Sequence, residues 1–252
     1  NKEKADKLFL LTNRLLEENE KYNLTAITEP KKVILHHYAD CATLAAHLPK
    51  GARIADVGCG AGFPSLPLAI ARPDIRVTSL DSTAKKLGFV GLEFLCGAIS
   101  KYDAGEKVHL VISLHACDTA TDEALAKGVE WKARFILSAP CCQHELHKAR
   151  ADKREFSGLL RQSILRERLC DILTDSFRAQ ILRILGFRTQ VIEFVSSEAT
   201  ARNVMLKCEY GVKPGQPGPI GEYLNLRDYW GVKPWLEGRF GAMLSKYLDR
   251  YE

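Results

Sequence analysis

The stretch that most limits how this chain can fold is a strand that runs straight into a glycine-rich turn and out into a helix. Ala52–Val57 is short and apolar, Gly58-Cys59-Gly60-Ala61-Gly62-Phe63-Pro64 follows without a spacer, and the next apolar run ends near Asp81. Glycines let the backbone turn sharply and come close to a ligand. The N-terminus of the helix that follows offers unpaired N–H groups to an anionic group such as a carboxylate. An acid at the end of the second strand can accept hydrogen bonds from two ribose hydroxyls, as in dinucleotide sites. Glycine motifs of this type are weak alone. With the right strand before it and the right acid after it, this one points to a nucleoside-type cofactor.

The rest of the chain fits that frame. Leu8, Leu11, Leu15 and Leu16 recur at helical spacing, and a second periodic run covers Val33 to Leu48 after Pro30. Short β-rich runs near 52–57, 76–81, 92–98, 109–115, 134–139, 189–195 and 203–209 then alternate with helical or longer segments. Long connections between the earlier strands imply parallel crossovers. The last two are separated only by the polar turn Ser196–Arg202 and should form an antiparallel hairpin. The expectation is an α/β fold, a seven-stranded and mostly parallel Rossmann-like sheet closed by a hairpin, which is the pattern of class I methyltransferases. Ser82–Gly91 is close to the shortest crossover that can carry a helix, roughly 10–12 residues, so its helix is stunted or residues are missing there.

We expect an N-terminal helical extension over 1–50 and a methyltransferase domain over 51–212. A helical insertion at 141–188 carries an apolar stripe from Ile164 and Leu165 to Leu185. The chain closes with a Pro/Gly linker and small tail over 213–252, in which Lys213–Gly221 reads as loop. The chain of 252 residues can bury one sizeable core. No apolar run reaches the length of a membrane span, and the start leads into an amphipathic helix rather than a secretory leader. Eight cysteines without a C-x-x-C pair favour reduced thiols in a cytoplasmic protein. A net charge of +5 permits a polyanionic partner without demanding one.

Tyr22-Asn23-Leu24-Thr25-Ala26-Ile27, His37-Tyr38-Ala39-Asp40, the turn Ile54–Pro64 and Leu80–Lys86 together resemble the bacterial 16S rRNA guanine-N7 methyltransferase family, also called the glucose-inhibited division protein B family. Cys41 stands where that family often has serine, and Cys59 where it often has threonine. Beyond residue 90, Leu110–Asp122, Ile136–Leu146 and Ile164–Leu169 resemble the methyltransferase-like 25 family instead. Both resemblances imply S-adenosyl-L-methionine. The second holds the half expected to carry the substrate pocket, so the N7-guanine assignment does not extend over the whole chain.

For the cofactor, Gly58, Gly60 and Gly62 are expected along the methionine side, with Asp56 orienting the loop and Cys59 and Phe63 in the same turn. Asp81 would hold the ribose, with Ser82 beside it. Ala98 and Ile99, at the end of the third strand, would meet adenine through backbone N–H. Leu114 and His115 end the fourth strand on the same carboxyl edge. A NAD-type site or a purely structural turn ranks below this reading, because the hairpin and the Gly-Phe-Pro continuation do not suit a dinucleotide fingerprint.

For chemistry, His115 can serve as a base near neutral pH or simply shape its loop through the backbone. Cys141, Cys142 and Gln143 follow the fifth strand, where a cysteine could be a nucleophile or a wall that shapes the substrate site, Gln143 could hydrogen-bond a base edge or an amide, and all three could simply orient the acceptor. Transfer to an already nucleophilic ring nitrogen needs little acid–base help, so positioning can supply much of the rate. Asp118, Thr119 and Thr121 are read as a helix cap. Zinc among Cys117, Cys141, Cys142, His115 and His144 is not expected, because the spacing matches no standard site. His37, Tyr38, His144, Arg150 and Arg154 are the candidate substrate contacts, with phosphates of RNA as the partner. Interleaved acids also allow a plain solvated helix face there. Tyr229, Trp230 and Trp235 are expected to dock the tail rather than stack on bases. The reading is a methyltransferase acting on RNA, a ribosomal RNA base by preference. Its alternatives are a small-molecule or protein methyltransferase and an inactive cofactor-binding scaffold.

Overall fold

The computed structural model describes residues 2–22, 27–34, 38, 41, 44–46, 48–60, 62–81, 92–114, 116, 118–140, 145–148, 153–193 and 203–251. They fall into two compact units, 1–103 and 104–252.

In the first unit, helix α1 (Lys2–Tyr22) is followed by the short α2 (Pro30–Val33), strand β1 (Arg53–Val57), α3 (Ser65–Ala71), β2 (Arg76–Asp81) and β3 (Leu92–Cys96). The strands pair in parallel on either side of β2, with Val57 opposite Leu80 and Asp81 opposite Cys96. All three therefore end on one carboxyl edge. β1 is buried along nearly its whole length, as expected of a parallel strand covered on both faces. α1 lays Leu11 and Leu15 onto α3, where they share a core with Val33, Tyr38, Cys59, Leu66 and Ile70. Lys4 Nζ caps the carbonyl of Ala71 at the far end of α3, 2.6 Å away.

The second unit holds β4 (Leu110–Ser113), α4 (Thr119–Glu130), β5 (Phe135–Ser138), α5 (Glu145–Lys148), α6 (Ser157–Leu160), the long α7 (Ser163–Ile184), β6 (Phe187–Glu193), β7 (Val204–Tyr210), α8 (Pro217–Trp230), α9 (Trp235–Phe240) and α10 (Ala242–Leu248). β4 and β5 are parallel, and β7 lies antiparallel between β5 and β6. Five strands joined by crossovers and a closing antiparallel pair give the seven-stranded mixed fold that the strand spacing predicts.

Two local readings change. The loop expected over Lys213–Gly221 turns helical at Pro217, because proline at the first helical position forgoes an N–H that would be unpaired anyway. α8 then buries Ile220, Tyr223 and Trp230, and Tyr223 meets Phe177 of α7 edge-on at 5.9 Å. Trp230 packs on Phe156 at 5.2 Å, which is docking, as expected. The apolar stripe of α7 is only half used: burial begins at Cys170, while Ile164, Leu165 and Ile172 stay exposed. Spacing makes a stripe, but only packing decides which of its turns are covered. The short crossover 82–91 lies outside the described residues.

Candidate functional site

The glycine turn is built as its sequence requires. Gly58, Gly60 and Gly62 have φ of 75°, 48° and 87°, the left-handed region that disfavours any Cβ. Gly58 N–H bonds back to Leu80 O at 2.7 Å, which ties the turn to β2. Asp81 Oδ2 accepts the N–H of Gly60 at 3.0 Å. The acid after the second strand and the glycine turn after the first are thus joined by a direct hydrogen bond. Among the described residues, a Cβ on Gly60 would meet nothing within 4 Å, so they leave the space in front of this backbone open. Gly62 is different. A Cβ there would sit 2.4 Å from Leu66 Cδ1, so its glycine is needed to pack the turn on α3.

Asp56 is 1 % exposed and is tied to the first residue of α3. It accepts a 2.6 Å hydrogen bond from Ser65 Oγ, which itself accepts one from Ser79 Oγ at 2.8 Å. Burial pushes the Asp56 carboxyl up to about 7, against the lowering effect of the Ser65 hydrogen bonds and with a smaller contribution from the charge of Asp81. Cys59 is buried in the α1–α3 core, where burial first and the Asp56 and Asp81 charges next push its thiol up to about 12. Phe63 packs against the same core and stacks on Tyr38 with ring centroids 6.1 Å apart. The side chain of Cys59 is therefore core, and that of Phe63 is half-buried against it. Ala98 is exposed at the end of β3 and caps a short 3-10 turn that starts at Ile99.

Tyr38 requires a correction as a substrate contact. It is 6 % exposed, and its hydroxyl is engaged with Thr12 Oγ1 at 2.8 Å and Leu8 O at 3.3 Å. A phenol that pairs its polar end inside the core is the more economical use of a tyrosine next to an amphipathic helix.

In the second unit, Leu114 is half-buried just after β4, and Arg154 is exposed on a 3-10 turn before α6. His37, Ser82, His115, Cys117, Cys141, Cys142, Gln143, His144 and Arg150 lie outside the described residues. Ser113 and Ser138 end β4 and β5 as register partners, and both hydroxyls are buried with no hydrogen-bond partner among the described residues. Such orphaned groups are rare enough to mark a polar spot beneath the two strand ends. Asp118 stands at the N-cap of α4, yet its side chain makes no capping bond. Thr121 instead donates its hydroxyl to Ala116 O, a contact that residue type alone does not reveal. Among the described residues no cluster of His, Cys, Asp and Glu could hold a metal.

These strands and this turn make a seven-stranded, mostly parallel Rossmann-like sheet with a glycine turn at its first crossover. Residues 4–126 match the family model described as rRNA small subunit methyltransferase G, a longer span than the 22–90 expected from motifs. Over 88 residues the chain is 47% identical to Ribosomal RNA small subunit methyltransferase G of Desulfitobacterium hafniense, covering 35% of this chain and 36% of that protein. Over 132 residues it is 42% identical to the protein of the same name from Nitrosococcus oceani, covering 51% and 60%. The chain thus spans less than two thirds of the length of these relatives. Among solved structures, a putative caffeoyl-CoA O-methyltransferase from Staphylococcus aureus aligns with 82% of this chain and all of its own, at a TM-score of 0.46 and 10% identity.

Proposed function

We propose that the chain is an S-adenosyl-L-methionine-dependent methyltransferase that acts on RNA, with a base of ribosomal RNA as acceptor. The observation that carries this reading is the Asp81–Gly60 hydrogen bond at the carboxyl edge of β1–β3. It brings a half-exposed carboxylate to a backbone turn with open space before it. That arrangement fits a ribose and the amino-acid end of a nucleoside cofactor. The match of residues 4–126 to the rRNA methyltransferase family supports the same donor and favours RNA as acceptor.

Asp81 would hold the ribose hydroxyls, the Gly58–Gly60 backbone would line the methionine portion, and backbone N–H groups at Ala98 and Ile99 would meet adenine. The bound cofactor supplies an activated methyl group. The chain's own task is to hold a nucleophilic ring nitrogen in line with it and to exclude water, which can account for much of the rate without a strong base. His115, Cys141, Cys142 and Gln143 are proposed for acceptor handling, and His37, His144, Arg150 and Arg154 for contacts to RNA. Guanine N7 is the finer proposal for the methylated atom. The buried thiols Cys41, Cys59, Cys170 and Cys208 suit a reducing cytoplasm, and no described helix is long and apolar enough to cross a membrane.

Labelled S-adenosylmethionine incubated with RNA, protein and metabolite fractions tests the acceptor: label should enter RNA. Label confined to protein or metabolites would move the assignment to a different acceptor. Asp81→Ala should weaken cofactor binding in titration calorimetry by roughly 10–100-fold, the value of hydrogen bonds to a charged group. Parent-like binding would sink the ribose assignment.

A further inference from the structure

The second unit buries a cation that none of these roles uses. Arg178, in the middle of α7, is 1 % exposed. Its Nε and Nη2 grip both oxygens of Asp122 in α4 at 2.8 and 2.7 Å, and Nη1 reaches Asp175 Oδ1 at 3.1 Å. Burial opposes its charge, but the Asp122 hydrogen bonds and the Asp122 and Asp175 charges outweigh that and hold its pKa above the ordinary value. Its last contact is not with an acid. Nη2 also donates to the backbone carbonyl of Asp118 at 3.1 Å.

Asp118, in the turn after β4, is one of two described non-glycine residues with positive φ. Its φ of 52° with ψ of −126° is a conformation that favours glycine. The same carbonyl accepts the N–H of Thr121 at 3.1 Å, and the Thr121 hydroxyl holds Ala116 O. A buried ion pair adds little stability over an apolar replacement but can fix one arrangement. Here the arrangement fixed is visible: a planar fork holds α4, α7 and the carbonyl of the strained residue together. Only an arginine offers enough donors in one plane to do so.

We infer that Arg178 is a positioning residue that fixes the carbonyl of Asp118 and, through Thr121, that of Ala116 where the chain leaves β4, the strand end to which acceptor handling is assigned. The functional half of this inference rests on the methyltransferase reading; the structural half does not. Complete removal of the guanidinium would strand two buried carboxylates, so the test variant is Arg178→Lys, which keeps the charge and loses the fork. Hydrogen exchange of the segment 114–121 should quicken by about tenfold while β6 and β7 keep their protection. In the labelled-methyl assay kcat should fall by roughly 10–100-fold, the cost of a misplacement of about 1 Å, with cofactor affinity unchanged within about twofold. Asp122→Asn, which loosens the same guanidinium from the other side, should give smaller changes of the same kind. Unchanged exchange at 114–121 would overturn the inference whatever the activity. Faster exchange with parent-like kcat would overturn the positioning role. If the parent itself transfers no methyl to any fraction, the methyltransferase reading fails, and exchange alone decides whether Arg178 holds the turn.

Discussion

Two strand-to-helix turns, one in each unit, need left-handed backbone and obtain it by opposite means. The turn between β1 and α3 supplies it locally, with glycines at φ 75°, 48° and 87°. The turn between β4 and α4 places an aspartate at φ 52° and holds its carbonyl from another helix, through an arginine 60 residues further along the chain. The first shape is favoured by residue type, with Leu80 and Asp81 of β2 accepting its N–H groups. The second has its carbonyl held from α7. A turn written in glycine can be read from sequence, and one written in a tertiary clamp cannot.

The largest effect should come from breaking the clamp. Arg178→Met should destabilise the protein by about 3–5 kcal/mol, because Asp122 and Asp175 lose a buried partner. Urea unfolding measures it; a loss below about 1 kcal/mol would mean that the network is dispensable. In the first unit, the acid beneath the glycine turn sets a pH dependence. Asp56 is raised from 3.8 to about 7 in the fold, so the native state keeps a proton that the unfolded chain has already released. Its contribution is fully present below pH 3.8 and is lost as pH rises through about 7. The slope should be no steeper than ~1.4 kcal/mol per pH unit. Asp56→Asn should flatten that slope in unfolding measured across the same window. An unaltered slope would place the titration elsewhere.

The remaining pair of changes swaps the two strategies. Gly62→Ala puts a Cβ 2.4 Å from buried Leu66 Cδ1 at a φ of 87°. It should cost roughly 1–3 kcal/mol, read from the shift of the urea midpoint. Asp118→Gly imports glycine into the clamped turn and should leave stability within ~1 kcal/mol of the parent, because relief at φ 52° offsets the added freedom of the unfolded chain. If the two substitutions cost the same, the distinction between a local turn and a clamped one does not hold.

Much of the first unit was legible because its signals are local. Period-two and apolar runs placed β1 and β2 within a residue of where they lie, and the acid at position 81 was expected beside the glycine turn that it bonds. Side-chain direction was not legible. Cys59 and Phe63 share the turn with the glycines but face the α1–α3 core, and Tyr38 is spent on Thr12 rather than on a substrate. In the second unit, spacing found α7 but not which of its turns are covered. A proline-glycine run that reads as loop became the start of α8 once Tyr223 had Phe177 to pack against.

By itself, then, the sequence determined the order and kind of the strands, the closing hairpin and the glycine turn with its partner acid. Each of these rests on the φ preference of one residue type or on a short-range apolar period. Tertiary structure alone decided that Arg178 would be buried, that Asp122 would be its partner 56 residues away, and that Asp118 would be held in a glycine-like conformation. Those outcomes depend on which helix faces meet. A guanidinium is tolerated inside a protein only where several acceptors converge, and convergence of distant residues is a property of the folded chain.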